Sequence, residues 1–324
     1  MIDPVLRHSA GQKAFVENAA FEMVRRNRFS RREAYVLLAE LAQHGSPAFP
    51  VLSDFIRRSD NSARMTAFHD TLCKDHRATS HALNAARAVV TDSATAYLLD
   101  PARPVFFNSH DDSKPLIVVF TTAYNNFYMS NAVLASLLTQ AGHPCLFVKD
   151  PSEYQFTTGI AGFGETWDTS IDALAATLPR LAKGRPVIAT GFSSSGFSAV
   201  LAAIALKADA VVGFSIRNSL SPHSALPRSR LLTPAMYDRI PAALKCDLAP
   251  VLSASDTQVR LYYGALNEID KRHALSLSHV PQVCVSEVKD TGHTSPRPFL
   301  HAGTLVDTIA AATTALPLGQ MAHG

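Results

Sequence analysis

From Lys114 onward, six short runs rich in β-branched and aromatic residues alternate with stretches of helical spacing, and this alternation limits the fold more than any other feature. The runs are PLIVVF (115–120), PCLFVKD (144–150), RPVIAT (185–190), ADAVVGFS (208–215), VRLYYG (259–264) and VCVSEV (283–288). Each reads as a buried strand. Between most of them lie amphipathic segments at 129–142, 169–182, 195–207 and 270–279, so a mainly parallel sheet covered on both faces, with right-handed crossovers, is predicted. Ligands in such a doubly wound sheet bind at the carboxyl ends of the strands.

The preceding region has a different period. Over 11–90 the apolar residues, among them Phe15, Ala19 and Met23 and then Tyr35, Leu38 and Leu41, recur at helical spacing. Ser30 to Glu33 has the form of a capping box, Gly45 is placed to stop that helix, and Pro47 and Pro50 mark the next start. The chain is therefore divided into a helical N-terminal extension, 1–95, and an α/β domain, 96–324. The stretch 217–256, with prolines at 222, 227, 234, 241 and 250, breaks the alternation where a cap over the site would lie.

Composition excludes several classes of function. Among 324 residues, 30 Lys and Arg face 27 Asp and Glu, and the small excess lies before Ala96. The one basic cluster, Arg25, Arg26, Arg28, Arg31 and Arg32, reads as solvated helix ends, so no nucleic-acid partner is expected. The four cysteines are widely spaced, with no CxxC pair, and are expected to be buried free thiols of a reducing compartment. With no apolar signal core and no run of 18 or more apolar residues, the chain is expected to be cytoplasmic, without a membrane span.

The stretch GFSSSGFSAVLAA, from Gly191, places three serines between two glycines at a strand-to-helix turn. Gly191 and Gly196 have the spacing of a phosphate-binding loop, but Phe197 and Ser198 follow where Lys and a hydroxyl residue are needed, and a dinucleotide fingerprint lacks its middle glycine. A nucleophile elbow fits better. That turn brings the neighbours at −2 and +2 together, and of the three serines only Ser193, with Gly191 and Ser195, has two small ones. Gly196 would let the following helix approach the sheet. The fifth position is Ser where G-x-S-x-G has Gly.

A serine needs a base, commonly a histidine oriented by a carboxylate. The last strand runs into Lys289-Asp290-Thr291-Gly292-His293, which presents His293 at the carboxyl edge. The acid is chosen from the loop after VRLYY. Asp270 is the preferred carboxylate, Glu268 is the alternative, and Asp270 also suits a helix N-cap, while Asn267 has no carboxylate to stabilise an imidazolium. Asp290 suits the turn before His293. Donors for an oxyanion would be the amide of Ser194 and that of Thr122 or Ala123 in the loop after the first run.

These residues resemble the α/β-hydrolase superfamily, and more narrowly a group of bacterial hydrolase-like proteins with a G-x-S-x-[GS]-G-F-x-A-[VL] elbow. The likeness is carried by GFSSSGFSAVLAA, YYGALNEIDKRHA, DTGHT, VVFTTAYNNFYM and LFVKDPSEYQFTTGIAGFG, and spans about 104–316. It implies the α/β-hydrolase fold, a doubly wound sheet with a triad on its loops, and leaves the substrate open. The function expected is a serine hydrolase for an acyl ester or thioester, working through a Ser-His-Asp triad and an acyl-enzyme, with a small-molecule acyl substrate and neither metal nor cofactor. An acyltransferase would use the same residues. Asn267 and a loop without the H-G-G pattern of many lipases favour a different class, a non-catalytic binding or scaffold protein. The N-terminal helices are the expected surface for a protein partner or for self-association. Phe127, Tyr128, Tyr154, Phe156, Phe163 and Trp167 suit either an acyl pocket or the core.

Overall fold

The computed structural model describes residues 31–59, 63–86, 97–98, 100, 102–109, 111–150, 155–228 and 232–313. The capping box at Ser30, the basic cluster and Tyr154 lie outside the described residues and side chains. Helices α1 (Arg31–Gln43), α2 (Phe49–Ser59) and α3 (Ala63–Ala86) come first. Gly45 sits at φ +59°, and a Cβ there would meet the backbone of Ser80 at 2.9 Å, so glycine both turns the chain after α1 and admits α3. Leu38, Leu41, Leu52, Ile56 and Leu72 form a core of their own between these helices.

The sheet begins with β1 (Val105–Phe107) and β2 (Leu116–Phe120), followed by a small hairpin of β3 (Asn126–Phe127) and β4 (Met129–Ser130), then α4 (Asn131–Gln140) and β5 (Cys145–Val148). After α5 (Trp167–Ala182) come β6 (Val187–Phe192), α6 (Gly196–Ala205), β7 (Ala210–Phe214), α7 (Pro234–Arg239) and α8 (Leu248–Ser253). The chain closes with β8 (Gln258–Gly264), α9 (Glu268–Leu275), β9 (Val283–Val288), α10 (Arg297–Ala302) and α11 (Leu305–Ala310). Seven strands form one sheet in the order β1-β5-β2-β6-β7-β8-β9. All its pairings are parallel except β1 on β5.

Strand β2 shows why the sheet is doubly covered. Leu116, Val118 and Phe120 point into one core with α5 and α6, while Ile117 and Val119 point into a second with α4 and α11. Alternation with both faces apolar requires helices on both sides. This is a doubly wound, mainly parallel α/β sheet with a helical stretch before it. Within 217–256, Ile240, Leu244, Leu248 and Leu252 pack into the first of these cores.

Several expectations change. The antiparallel β1 and the hairpin of β3 and β4 are too short to be read from period alone. Strand β9 is half exposed rather than buried, because it ends the sheet and has a neighbour on one side only. Of the four free thiols, only that of Cys145 is buried; Cys73, Cys246 and Cys284 are half exposed. Phe127, Tyr128, Phe156 and Trp167 are buried core residues, and Phe163 packs against the core that holds Phe156 and Trp167. Among the described residues no helix is long and apolar enough to cross a membrane.

The N-terminal helices are joined to the sheet by α3, which contributes Leu72 to their own core and Ala82 to the second sheet core. A buried polar cluster completes the joint. Asp75 on α3 accepts from the Tyr128 hydroxyl at 2.9 Å, lies 2.6 Å from His301 Nε2, and forms an ion pair with Arg297 at 3.3 Å. Burial, reinforced by the nearby Asp75 carboxylate, pushes the Tyr128 hydroxyl above the usual tyrosine range.

Candidate active site

At the carboxyl end of β6 the chain passes through Ser193 into a short 3-10 turn and then α6. Ser193 has φ +55°, a left-handed conformation that costs a non-glycine residue energy, so the surrounding packing must hold it. The packing is close. A Cβ on Gly191 would lie 2.9 Å from Gly196 Cα and 3.0 Å from Ala199 Cβ, and one on Gly196 would lie 2.0 Å from Ile216 Cγ2. Glycine at these two places lets α6 begin directly against the sheet.

Ser195, where the usual pattern has glycine, does more than stay small. Its hydroxyl accepts from the Phe192 amide at 3.1 Å and lies 2.8 Å from the Phe120 carbonyl and 3.0 Å from that of Phe192. It is fully buried, and thus ties the turn to the end of β2. Nothing in the local sequence signals this, because Phe120 is distant along the chain.

The imidazole of His293 lies between two side chains. Ser193 Oγ donates to Nε2 at 2.7 Å, and Nδ1 donates to Asp270 Oδ2 at 2.7 Å. Asp270 has no exposed side-chain surface, whereas His293 is 38 % exposed. The carboxylate is therefore enclosed, while the imidazole and the Ser193 hydroxyl are reachable. The Phe192 ring lies 5.3 Å from the imidazole and packs on it.

Backbone contacts bring the two loops together. Leu266 donates to the Thr291 carbonyl and Ala265 to that of Val288, each at 2.9 Å. A Cβ on Gly264 would fall 1.8 Å from the Gly292 carbonyl oxygen, so glycine at the end of β8 is what allows the loop carrying His293 to lie across it. Asp290, exposed at φ +55°, serves that turn.

The N-cap of α9 is Asn267, not Asp270. Its side-chain oxygen accepts from the amides of Ile269 and Asp270 at 3.1 and 3.2 Å. Asn267 thus fixes the first turn of the helix and leaves the Asp270 carboxylate for His293. Glu268 is exposed and makes no hydrogen bond to His293. Arg217, just beyond β7, stands 3.7 Å from Asp270 Oδ1. Burial, opposed by that carboxylate, lowers the Arg217 guanidinium from its usual range. Sequence reading missed Arg217, since nothing in a proline-rich stretch links it to an acid on another loop.

Two further residues behind the site bind the 217–256 stretch to α9. Asn218 donates from Nδ2 to the His273 carbonyl at 2.7 Å, and the His273 ring lies 2.8 Å from Asn218 Oδ1 and 2.9 Å from the Pro227 carbonyl. Burial pushes the His273 imidazole down to about 4.

In the loop after β2, the Thr122 amide is bonded to the Asn126 carbonyl at 2.8 Å, while the Ala123 amide points across to the serine turn and donates to Ser194 Oγ at 3.2 Å. Of the two loop amides considered from sequence, Ala123 is therefore the one directed at the site. Among the described residues no group of His, Cys, Asp and Glu is arranged to hold a metal ion.

No protein-family model and no curated protein matches this chain. Solved structures do. The chain is similar to Est1E from Butyrivibrio proteoclasticus, solved with ferulic acid bound, at 12 % identity over 66 % of this chain and 96 % of that one, with a TM-score of 0.48. It is similar to MenH from S. aureus at 14 % identity over 63 % and 95 %, TM-score 0.41. A thermophilic esterase, Est2, from Thermogutta terrifontis matches at 13 % identity over 59 % and 77 %, TM-score 0.42.

Proposed function

We propose that this α/β-hydrolase-fold chain is a serine hydrolase that cleaves an acyl ester or thioester through an acyl-enzyme. The reading rests on one observation, the unbroken chain of hydrogen bonds from Ser193 through His293 to Asp270, with the serine held in a strained turn at the carboxyl edge of the sheet. Ser193 Oγ attacks the acyl carbon as its proton passes to His293 Nε2. Asp270, accepting from Nδ1, fixes the tautomer and stabilises the imidazolium that forms. The carbonyl oxygen takes up negative charge, which the Ser194 amide and the Ala123 side of the opposite loop stabilise. His293 then returns the proton to the leaving alkoxide or thiolate. In the second half, water loses a proton to His293, attacks the acyl-Ser193 carbonyl, and releases the acid with the serine restored.

The test is covalent labelling with a fluorophosphonate, followed by intact mass and peptide mapping. One adduct on Ser193, absent in Ser193→Ala and strongly slowed in His293→Ala, is the expected result. A folded protein that takes no adduct overturns the reading.

A further inference from the structure

The backbone amide of Ser194 is one donor to the oxyanion in this reading, and its side chain holds the more unusual position. The residue is buried beside the reactive turn. Its Oγ accepts from the Ala123 amide at 3.2 Å, and its own hydroxyl hydrogen has no acceptor among the described residues. A serine hydroxyl carries one O–H donor beside its acceptor lone pairs, and here the donor is still to be used. The neighbouring loop amide, that of Thr122, is already engaged with Asn126. The Ala123 amide is the loop donor that meets Ser194 Oγ.

We propose that the Ser194 hydroxyl is itself a catalytic donor to the developing oxyanion, held in place by the Ala123 amide. This inference rests on the serine-hydrolase reading and deepens it. The amide donates to Oγ, and Oγ–H donates to the acyl oxygen once Ser193 has attacked. A hydroxyl that already accepts one hydrogen bond donates a stronger one, because the two bonds polarise each other. The hydroxyl keeps its proton throughout; a hydrogen bond forms in the tetrahedral intermediate and is released when it collapses. The fully buried hydroxyl of Ser195, by contrast, is committed to the Phe120 and Phe192 backbone.

The experiment measures the rate constant for fluorophosphonate labelling of Ser193, mapped to its peptide, in the full chain and in Ser194→Ala and Ser194→Thr, with thermal midpoints for each. The phosphoryl oxygen of the probe occupies the place of the oxyanion. Ser194→Ala should label on the order of 100-fold more slowly, the size of losing one such donor, at an unchanged midpoint. Ser194→Thr, which keeps a hydroxyl, should stay within about threefold of the parent, a rescue that a purely structural role would not require. Should the alanine variant not fold, Ser194→Cys keeps the volume but is a weak donor and carries the same expectation. Labelling of Ser194→Ala at the parental rate or faster, in a parent that does label, overturns this inference alone. A parent without an adduct on Ser193 overturns the hydrolase reading and this inference with it.

Discussion

Two buried aspartates in this molecule each take a histidine from the same short stretch of chain, and the two pairs end differently. Asp270 receives His293 at 2.7 Å, with Arg217 at 3.7 Å; Asp75 receives His301 at 2.6 Å, with Arg297 at 3.3 Å. Both carboxylates are shielded from solvent. His293 offers Nδ1 to its acid, so Nε2 is turned to Ser193, whereas His301 spends Nε2 on Asp75. An aspartate, a histidine and an arginine in contact thus occur both with and without a serine on the second ring nitrogen. What separates the pairs is the ring nitrogen the acid takes, and whether a strained turn delivers a hydroxyl to the other.

The two clusters are joined by packed side chains. Tyr128, which donates to Asp75, stands edge-on to Phe192 at 6.2 Å, and Phe192 packs on His293. Tyr128 also accepts from Arg297 Nε at 2.5 Å. Asp75 therefore fixes three groups, one on the segment after β2 and two on the helix after His293.

Substitutions can break the comparison. The largest effect on reactivity should come from Asp270→Asn, which keeps the volume but disturbs the tautomer of His293; Ser193 labelling should fall on the order of 10³- to 10⁴-fold, with Glu268→Gln within about twofold as the control from the exposed neighbour. Equal losses in the two variants would mean that the acid has been misassigned.

Asp75→Ala should act on stability instead. It leaves Arg297 and the Tyr128 hydroxyl without their shared acceptor, and removing one partner of a buried pair costs about 3–5 kcal/mol, read from urea unfolding. Protein that remains folded should label within about tenfold of the parent. Abolished labelling with unchanged unfolding would show that the second pair serves the chemistry.

A third imidazole sharpens the contrast, because His273 faces Asn218 and a carbonyl rather than a carboxylate. Its folded value lies below the ordinary 6.5, at about 4. The stability it contributes is present above pH 6.5 and is lost as pH falls from 6.5 through about 4, by about 3 kcal/mol at most. Unfolding measured across that window should show this slope, and His273→Gln should flatten it. An unchanged slope would place the acid sensitivity elsewhere.

Much of this was legible along the chain. The alternation from Lys114 predicts the sheet and its two covered faces, and small residues at Gly191, Ser195 and Gly196 single out Ser193, because a tight turn sets steric limits on residues close in sequence. His293 follows from its place after the last strand. The sequence leaves the acid open between Asp270 and Glu268, since both lie in one loop, and a helix start suits either. Tertiary structure brings one of them to the imidazole: Asn267 takes the cap, Gly264 lets the two loops cross, and Asp270 alone of the two meets His293. It also decides what no local pattern encodes, the Ser195 tie to Phe120, the Arg217 contact and the Asp75 cluster. The reason is physical. Period and turn chemistry act over a few residues, whereas hydrogen-bond partners are chosen by which distant segments the packed core brings within about 3 Å.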